Sequence, residues 1–315
     1  MIHWGIIGLG NIAKRFAESL KNSDVGMLYG GASHNESKRN YFKDKYGIKT
    51  YDQYLDLLND DNIDVVYIAL PHGLHYQWIK EALLRNKAVL CEKPITLNQD
   101  ELKELVDLSK EKHTFLMEGM KSRFIPMTKQ IQKLVDDGVI GDIERIETSF
   151  CNDVPYMENH YLYDENQGGI LFDCGIYNIA TILQFIKSDV KEIKVEYTKK
   201  YNVDVDDKIE IIFESGQVGY MENSMIENRE KKMRIIGTKG IISATPFYRP
   251  QEAVVEFYNG ESFTGYLPYD KDDFYSEIEE VHRCLGFIEI ESPLMSHDDS
   301  LRCNELMLKI KEKLV

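Results

Sequence analysis

An α/β domain with a doubly wound parallel sheet, followed by an α+β domain with an open, mainly antiparallel sheet, is the fold this sequence predicts. Three observations carry that prediction. From residue 2 to residue 117, short apolar runs alternate with amphipathic helical stretches. The run Val65 to Leu70 is almost continuously apolar, as expected of a strand covered on both faces. Beyond Met120 the period changes, and segments such as Lys208–Ile209–Glu210–Ile211 alternate polar and apolar residues, which marks strands with unequal faces.

Taken in order, residues 2–7 form a first strand. Residues 11–21 form a helix with Ile12, Phe16, Ala17 and Leu20 on one face. A strand at 27–33, a charged helix at 37–46, a helix at 51–58 and the strand at 65–70 follow. Then come a helix at 75–85, a strand at 88–91, a helix at 99–112 and a last strand at 114–117. The second block opens with a helix at 127–136. Strands are expected at 143–150, 192–201, 208–214, 219–225, 232–236, 240–244 and 252–258. Helices at 170–185, 274–284 and 299–313 are expected to pack against their sheet. The expected domains are residues 1–120 and 121–315.

Composition narrows the function classes. The chain has 315 residues, 53 acidic and 38 basic, for a net charge of −15. Such a surface disfavours nucleic acid, whose phosphates are bound by Lys and Arg releasing counterions, and it disfavours anionic membranes. No segment has the ~20 apolar residues of a membrane span. The first residues run straight into a strand, without the basic and apolar regions of a secretory signal. The five cysteines are odd in number and never closer than Cys284 and Cys303, so no CxxC pair exists. A reducing, cytoplasmic setting is expected. The eight histidines show no metal-ligand spacing beyond His72 and His75, and no metal is expected.

The most informative local pattern is Gly8–Leu9–Gly10–Asn11–Ile12–Ala13, directly after the first strand and opening a helix. It fits GxGxxG/A, the pyrophosphate-binding turn of a Rossmann dinucleotide domain. Gly8 permits the turn, Gly10 lets backbone approach the anion, Ala13 lets helix and strand pack closely, and the amides at Asn11 and Ile12 face the phosphate. At the second strand's end, Ser33–His34 stand where an NAD site usually has a carboxylate for the ribose hydroxyl. With Lys38 or Arg39 behind them they suit a 2′-phosphate, so NADP is expected over NAD. A plain helix cap by Asn35 or Ser37 is the competing reading. Leu70, Pro71 and His75 lie in a loop at a strand's carboxyl end, where ligands sit in open α/β sheets. On its own, a histidine such as His75 is more often a structural or capping residue than a catalyst. Glu92–Lys93–Pro94 follows another strand into the same crevice. Lys93 can bond a substrate oxygen there or lie on the surface. In the second block, Asp173 and Tyr177 share one face of an otherwise apolar helix. They form either an acid/base site or a buried polar network.

Together these motifs resemble the glucose–fructose oxidoreductase and inositol dehydrogenase (Gfo/Idh/MocA) family. The resemblance runs through the loop from Ala69 to His75, Glu92–Lys93–Pro94, residues 118–126 (EGMKSRFIP), residues 168–177 and residues 292–301. It implies a hydride-transferring dehydrogenase for a sugar, cyclitol or related polyhydroxylated compound. Lys93 would be the catalytic lysine, Tyr177 the proton donor or acceptor, and Asp173 the group that orients substrate or tunes the pair. Arg123 would lie near the substrate, and the second-domain sheet would join subunits into a homo-oligomer. Tyrosine at 177, in place of the histidine of inositol dehydrogenases, resembles the glucose–fructose oxidoreductase and dimeric dihydrodiol dehydrogenase branch, which uses NADP. Lys121 departs from the branch's aromatic residue and questions an aromatic-lined pocket. A non-catalytic, dinucleotide-binding regulator of the same family is the rival expectation.

Overall fold

In the computed structural model, which describes residues 1–314, the chain divides into two compact units. The first comprises Met1–Gly119 and Asp270–Leu301, and the second Met120–Tyr269 and Arg302–Val315.

The first unit holds a six-stranded sheet in the order β3-β2-β1-β4-β5-β6. Its strands are β1 (Ile2–Ile7), β2 (Gly26–Ala32), β3 (Lys49–Tyr51), β4 (Val65–Ile68), β5 (Ala88–Glu92) and β6 (Leu116–Gly119), with helices α1 (Asn11–Leu20), α2 (Glu36–Tyr46), α3 (Tyr54–Leu58), α4 (His75–Leu84) and α5 (Gln99–Lys112) between them. Every neighbouring pair is parallel. This is the strand order of dinucleotide-binding sheets, in which the topological switch falls between β1 and β4. The apolar runs form its centre: all four residues of β4 are buried. The helix expected at 51–58 divides in two. Tyr51 pairs with Ala32 as the end of the edge strand β3, and the helix begins only at Tyr54.

The segment 270–301 also belongs to this unit, whereas the sequence division had left it with residues 121–315. Its helix α8 (Tyr275–Gly286) lies along α1 and β1 instead of the second sheet. The Trp4 indole donates to His282 Nε2 at 2.9 Å, Arg15 pairs with Asp273 at 2.6 Å, and Phe274 meets the Phe16 ring edge-on. An amphipathic pattern states that a helix has an apolar face, not which sheet that face covers.

The second unit carries an eight-stranded sheet in the order β14-β13-β12-β11-β7-β10-β9-β8. The strands are β7 (Ile143–Cys151), β8 (Val190–Lys200), β9 (Val203–Phe213), β10 (Val218–Ser224), β11 (Met233–Gly237), β12 (Gly240–Ala244), β13 (Glu252–Phe257) and β14 (Ser262–Tyr266). All pairs are antiparallel except β10 with β7. Strand β14 escaped the sequence reading because its residues are mostly exposed and show no apolar face. Helices α6 (Pro126–Asp136) and α7 (Ile176–Phe185) belong to this unit, and α9 (His297–Lys311) begins in the first unit and ends in the second. The alternation that marked the strands is visible in β9, where Ile209, Ile211 and Phe213 are buried and Lys208 is exposed. Among the described residues, no helix is long and apolar enough to cross a membrane, and no group of three His, Cys, Asp or Glu is placed to hold a metal ion.

Candidate active site

The glycine turn is built as its sequence requires. Gly8 has φ +95°, and a Cβ there would come within 2.4 Å of the Ala69 carbonyl oxygen. Only glycine lets β1 end so close to the end of β4. Gly10 has nothing within 4 Å of a Cβ position, so backbone there faces open space. Gly10 is also the N-cap of α1, with no side-chain cap and no acidic residue in the first turn. The first amides, at Asn11 and Ile12, therefore keep their pull on an anion. Open backbone at Gly10 and an uncapped helix start fit the pyrophosphate of a dinucleotide.

At the end of β2, Ser33 is buried and its hydroxyl accepts the Asn35 amide at 3.2 Å. His34 turns its Nδ1 to the Asp52 carbonyl at 2.8 Å and lies 4.5 Å from the Tyr54 ring. The cation that reaches this strand end is Arg39, whose Nη1 donates to the Ser33 carbonyl at 2.6 Å. Lys38 is exposed, and its amide serves the cap of α2 by bonding Asn35 Oδ1. Asn35 thus caps the helix, and a guanidinium stands beside the strand end.

His75 is fully buried, with Nδ1 2.9 Å from the Pro94 carbonyl and Nε2 2.8 Å from that of Leu70. Burial lowers its pKa, and the two carbonyls facing its nitrogens act against that shift. With both nitrogens turned to backbone, His75 braces two loops together and presents no ring nitrogen to a ligand. The loop it holds, at Lys93–Pro94, is gripped from the far side as well: the Ile95 amide donates to Glu118 Oε1 at 3.1 Å. Glu92, expected near the cofactor, accepts a hydrogen bond from the Tyr67 hydroxyl. Lys93 itself is half-buried at the mouth of this doubly held loop, directly after β5.

In the second unit, Asp173 lies on a π-helical turn, Leu171–Gly175, that runs into α7. Such turns are frequent at functional positions. Asp173 is partly exposed and accepts from the Cys174 thiol at 3.5 Å. Tyr177 is buried against the rings of Phe150 at 5.6 Å and Tyr248 at 6.1 Å, which stack on each other at 4.5 Å. Sequence reasoning missed Phe150 and Tyr248. They form a cluster of rings beside Tyr177. Arg123 is buried, and its Nη2 donates to the Ala180 carbonyl of α7 at 2.9 Å. That bond makes it a support for the helix bearing Tyr177. Between β7 and α7, Tyr156, His160, Tyr161 and Tyr163 line a cavity of about 590 Å³.

The fold and these features define a class: an oxidoreductase with a dinucleotide-binding Rossmann unit and a second α+β unit. Residues 2–120 match the model of the oxidoreductase family with an NAD-binding Rossmann fold, GFO/IDH/MocA, and residues 128–243 match that family's C-terminal domain. The chain belongs to the Gfo/Idh/MocA family, and it is an NAD(P)-dependent oxidoreductase. It is 29% identical over 325 residues to a trans-1,2-dihydrobenzene-1,2-diol dehydrogenase from Xenopus laevis, covering 99% of this chain and 97% of that one. It is 28% identical to a D-xylose 1-dehydrogenase (NADP(+)) from Hypocrea jecorina, covering 97% and 90%. Among solved structures, a 3-ketoreductase from Actinomadura kijaniata in complex with NADP and TDP-benzene superposes with a TM-score of 0.89 at 25% identity, covering 99% of this chain and 97% of that one.

Proposed function

We propose that this enzyme is an NADP-dependent dehydrogenase or reductase for the carbinol or carbonyl of a sugar, cyclitol or related polyhydroxylated compound. The reading rests on the presence, in one chain of this family, of Lys93 on a doubly braced strand-end loop in the first unit and of Asp173 and Tyr177 on a π-started helix in the second. NADP is favoured by the end of β2, where Ser33 and the Arg39 guanidinium stand and no carboxylate does. Gly8, Gly10, Asn11 and Ile12 would hold the pyrophosphate, and Leu70 and Pro71 would line the cofactor's far side.

When bound, the nicotinamide supplies the acceptor for a carbinol hydride in oxidation and its donor in reduction. In oxidation, Tyr177 takes the proton from the substrate hydroxyl, and returns it in the reverse direction. The Lys93 ammonium stabilises the negative charge that develops on oxygen. The Asp173 carboxylate accepts a hydrogen bond from a substrate hydroxyl and orients the ring. Phe150 and Tyr248 exclude water beside Tyr177. The relatives named above are dehydrogenases and a reductase, and no observation favours the regulator reading.

Two coarser features complete the proposal. Five buried cysteines without disulfides suit a reducing compartment, and we assign the enzyme to the cytoplasm. The second unit's sheet has an outward face carrying Arg145, Glu147, Glu210 and Arg234 in ion pairs, and we assign it to a homo-oligomer contact. Fluorescence titration with NADPH and NADH comes first, followed by NADP⁺-linked oxidation of D-xylose and of trans-1,2-dihydrobenzene-1,2-diol. Tighter NADPH binding and turnover of either compound support the reading. Equal affinity for the two cofactors removes the 2′-phosphate argument, and no turnover across a wider polyol panel removes the substrate class.

A further inference from the structure

We infer that Asp204, held by Lys311, is a positioning residue that fixes the start of the helical segment bearing Asp173 and Tyr177. The inference rests on the reading that those two residues act at the carbinol. Asp204 lies near the start of β9 and is 2% exposed. Its Oδ2 accepts the Leu171 amide at 2.8 Å, and its Oδ1 accepts from the Lys311 ammonium at 3.0 Å. A buried carboxylate is costly unless it is paired and hydrogen-bonded, and here it is both.

Local sequence leaves this helix start without a cap, since Ile170 offers no side-chain acceptor. The orphan amide of Leu171 is served from 33 residues away in the chain. Two further contacts make the fit close. Gly169 has φ +101°, and a Cβ there would lie 2.3 Å from Asp204 Oδ1, so the backbone rests directly against the carboxylate. The Lys311 ammonium also lies 4.9 Å from the centre of the Phe172 ring, the residue immediately before Asp173. One cation of α9 thus touches both the cap and the capped segment.

A second polar tether lies just past the far end. Asn178, next to Tyr177, donates to the Glu222 carbonyl at 3.2 Å and to Asn223 Oδ1 at 2.5 Å, and Asn223 donates to the buried Asp207 carboxyl. Asp173 and Tyr177 therefore lie between tethers to β9 and β10. A displacement of Tyr177 of about 1 Å is enough to cost roughly a hundredfold in rate. A cap that served only stability would lower the melting temperature and leave turnover per folded molecule unchanged.

The test uses the full chain with Lys311→Met, Lys311→Arg and Asp204→Asn. Turnover is measured with NADP⁺ and whichever of D-xylose or trans-1,2-dihydrobenzene-1,2-diol the unaltered enzyme oxidises. NADPH affinity, melting temperature and amide exchange of the 168–178 segment are measured alongside. The expected result is a fall in kcat of about ten- to a hundredfold in Lys311→Met and Asp204→Asn, with KM and NADPH affinity within about threefold. Lys311→Arg should restore most of the rate. Unchanged kcat in both neutral variants overturns the inference. So does a loss that follows the unfolded fraction and is not rescued by arginine. If the unaltered enzyme oxidises neither compound, it is the substrate reading that fails. Amide exchange then decides the inference: faster exchange at Leu171 in Lys311→Met, restored by arginine, supports it, and unchanged exchange overturns it.

Discussion

At the scale of single residues, the proposed chemistry rests on three side chains. Lys93, Asp173 and Tyr177 stand out because each is a polar residue in an apolar or strand-end setting. What holds them comes from elsewhere in the chain: His75 and Glu118 for the Lys93 loop, Asp204 for the helix start, Phe150 and Tyr248 for the wall beside Tyr177. No local pattern announces a contact between strands distant in sequence. Two predictions belong at this scale. Lys93→Met should lower kcat by at least about a hundredfold, the usual worth of a positioned acid/base system. NADPH affinity by fluorescence titration should stay within about threefold, and a variant of full activity would remove Lys93 from the mechanism. Arg39→Ala should weaken NADPH about tenfold, as expected for one lost charge-assisted contact. NADH binding should not change, and an equal loss for both cofactors would show that Arg39 serves only the fold.

Elements were legible where period and punctuation agree. Strand β1, the glycine turn and α1 were readable together because the turn's φ > 0 position, the uncapped helix start and the apolar face all describe one βαβ entry. The short edge strand Lys49–Tyr51 and the π turn at Leu171–Gly175 were not. The first is three residues long, and the second shares its composition with the α-helix it leads into. Helix α5 gives a clean test of capping away from the site. Asn98 accepts the amides of Asp100 at 2.8 Å and Glu101 at 3.1 Å. Asn98→Ala should cost about 1 kcal/mol in urea unfolding with no change in kcat. Gly8→Ala should be far more damaging, because the methyl group meets the Ala69 carbonyl at a left-handed φ. We expect loss of NADPH binding before any other property.

For the whole molecule, the doubly wound class of the first unit was legible in its alternating pattern, while the strand order and the return of residues 270–301 to it were not. Charge set in the interior shapes stability against pH. Burial lowers the pKa of His75, His282 and His297 below the ordinary 6.5. Below that value the unfolded chain takes up protons that the folded chain refuses, so the stability they contribute is full above pH 6.5 and falls beneath it. The slope is at most about 1.4 kcal/mol per pH unit for each histidine. Asp207 opposes this, since burial raises its pKa and the folded chain gains the proton. Burial raises Glu101 as well, and three histidines against two carboxyls predict a net loss between pH 7 and pH 5.5. Urea midpoints at those two values measure it, and a higher midpoint at the lower pH would refute it.

The indole of Trp4 waits for a partner 278 residues further on. At a translation rate of about 5–20 residues per second, that interval is roughly 14–56 s on the ribosome. During it, the face of α1 that Phe274 will cover is open to water or to a chaperone. The second unit closes no sooner, because Asp204 meets Lys311 only when the last helix has emerged. Both halves of this enzyme are therefore completed within some thirty residues of each other, by His282 and by Lys311, instead of one well before the other.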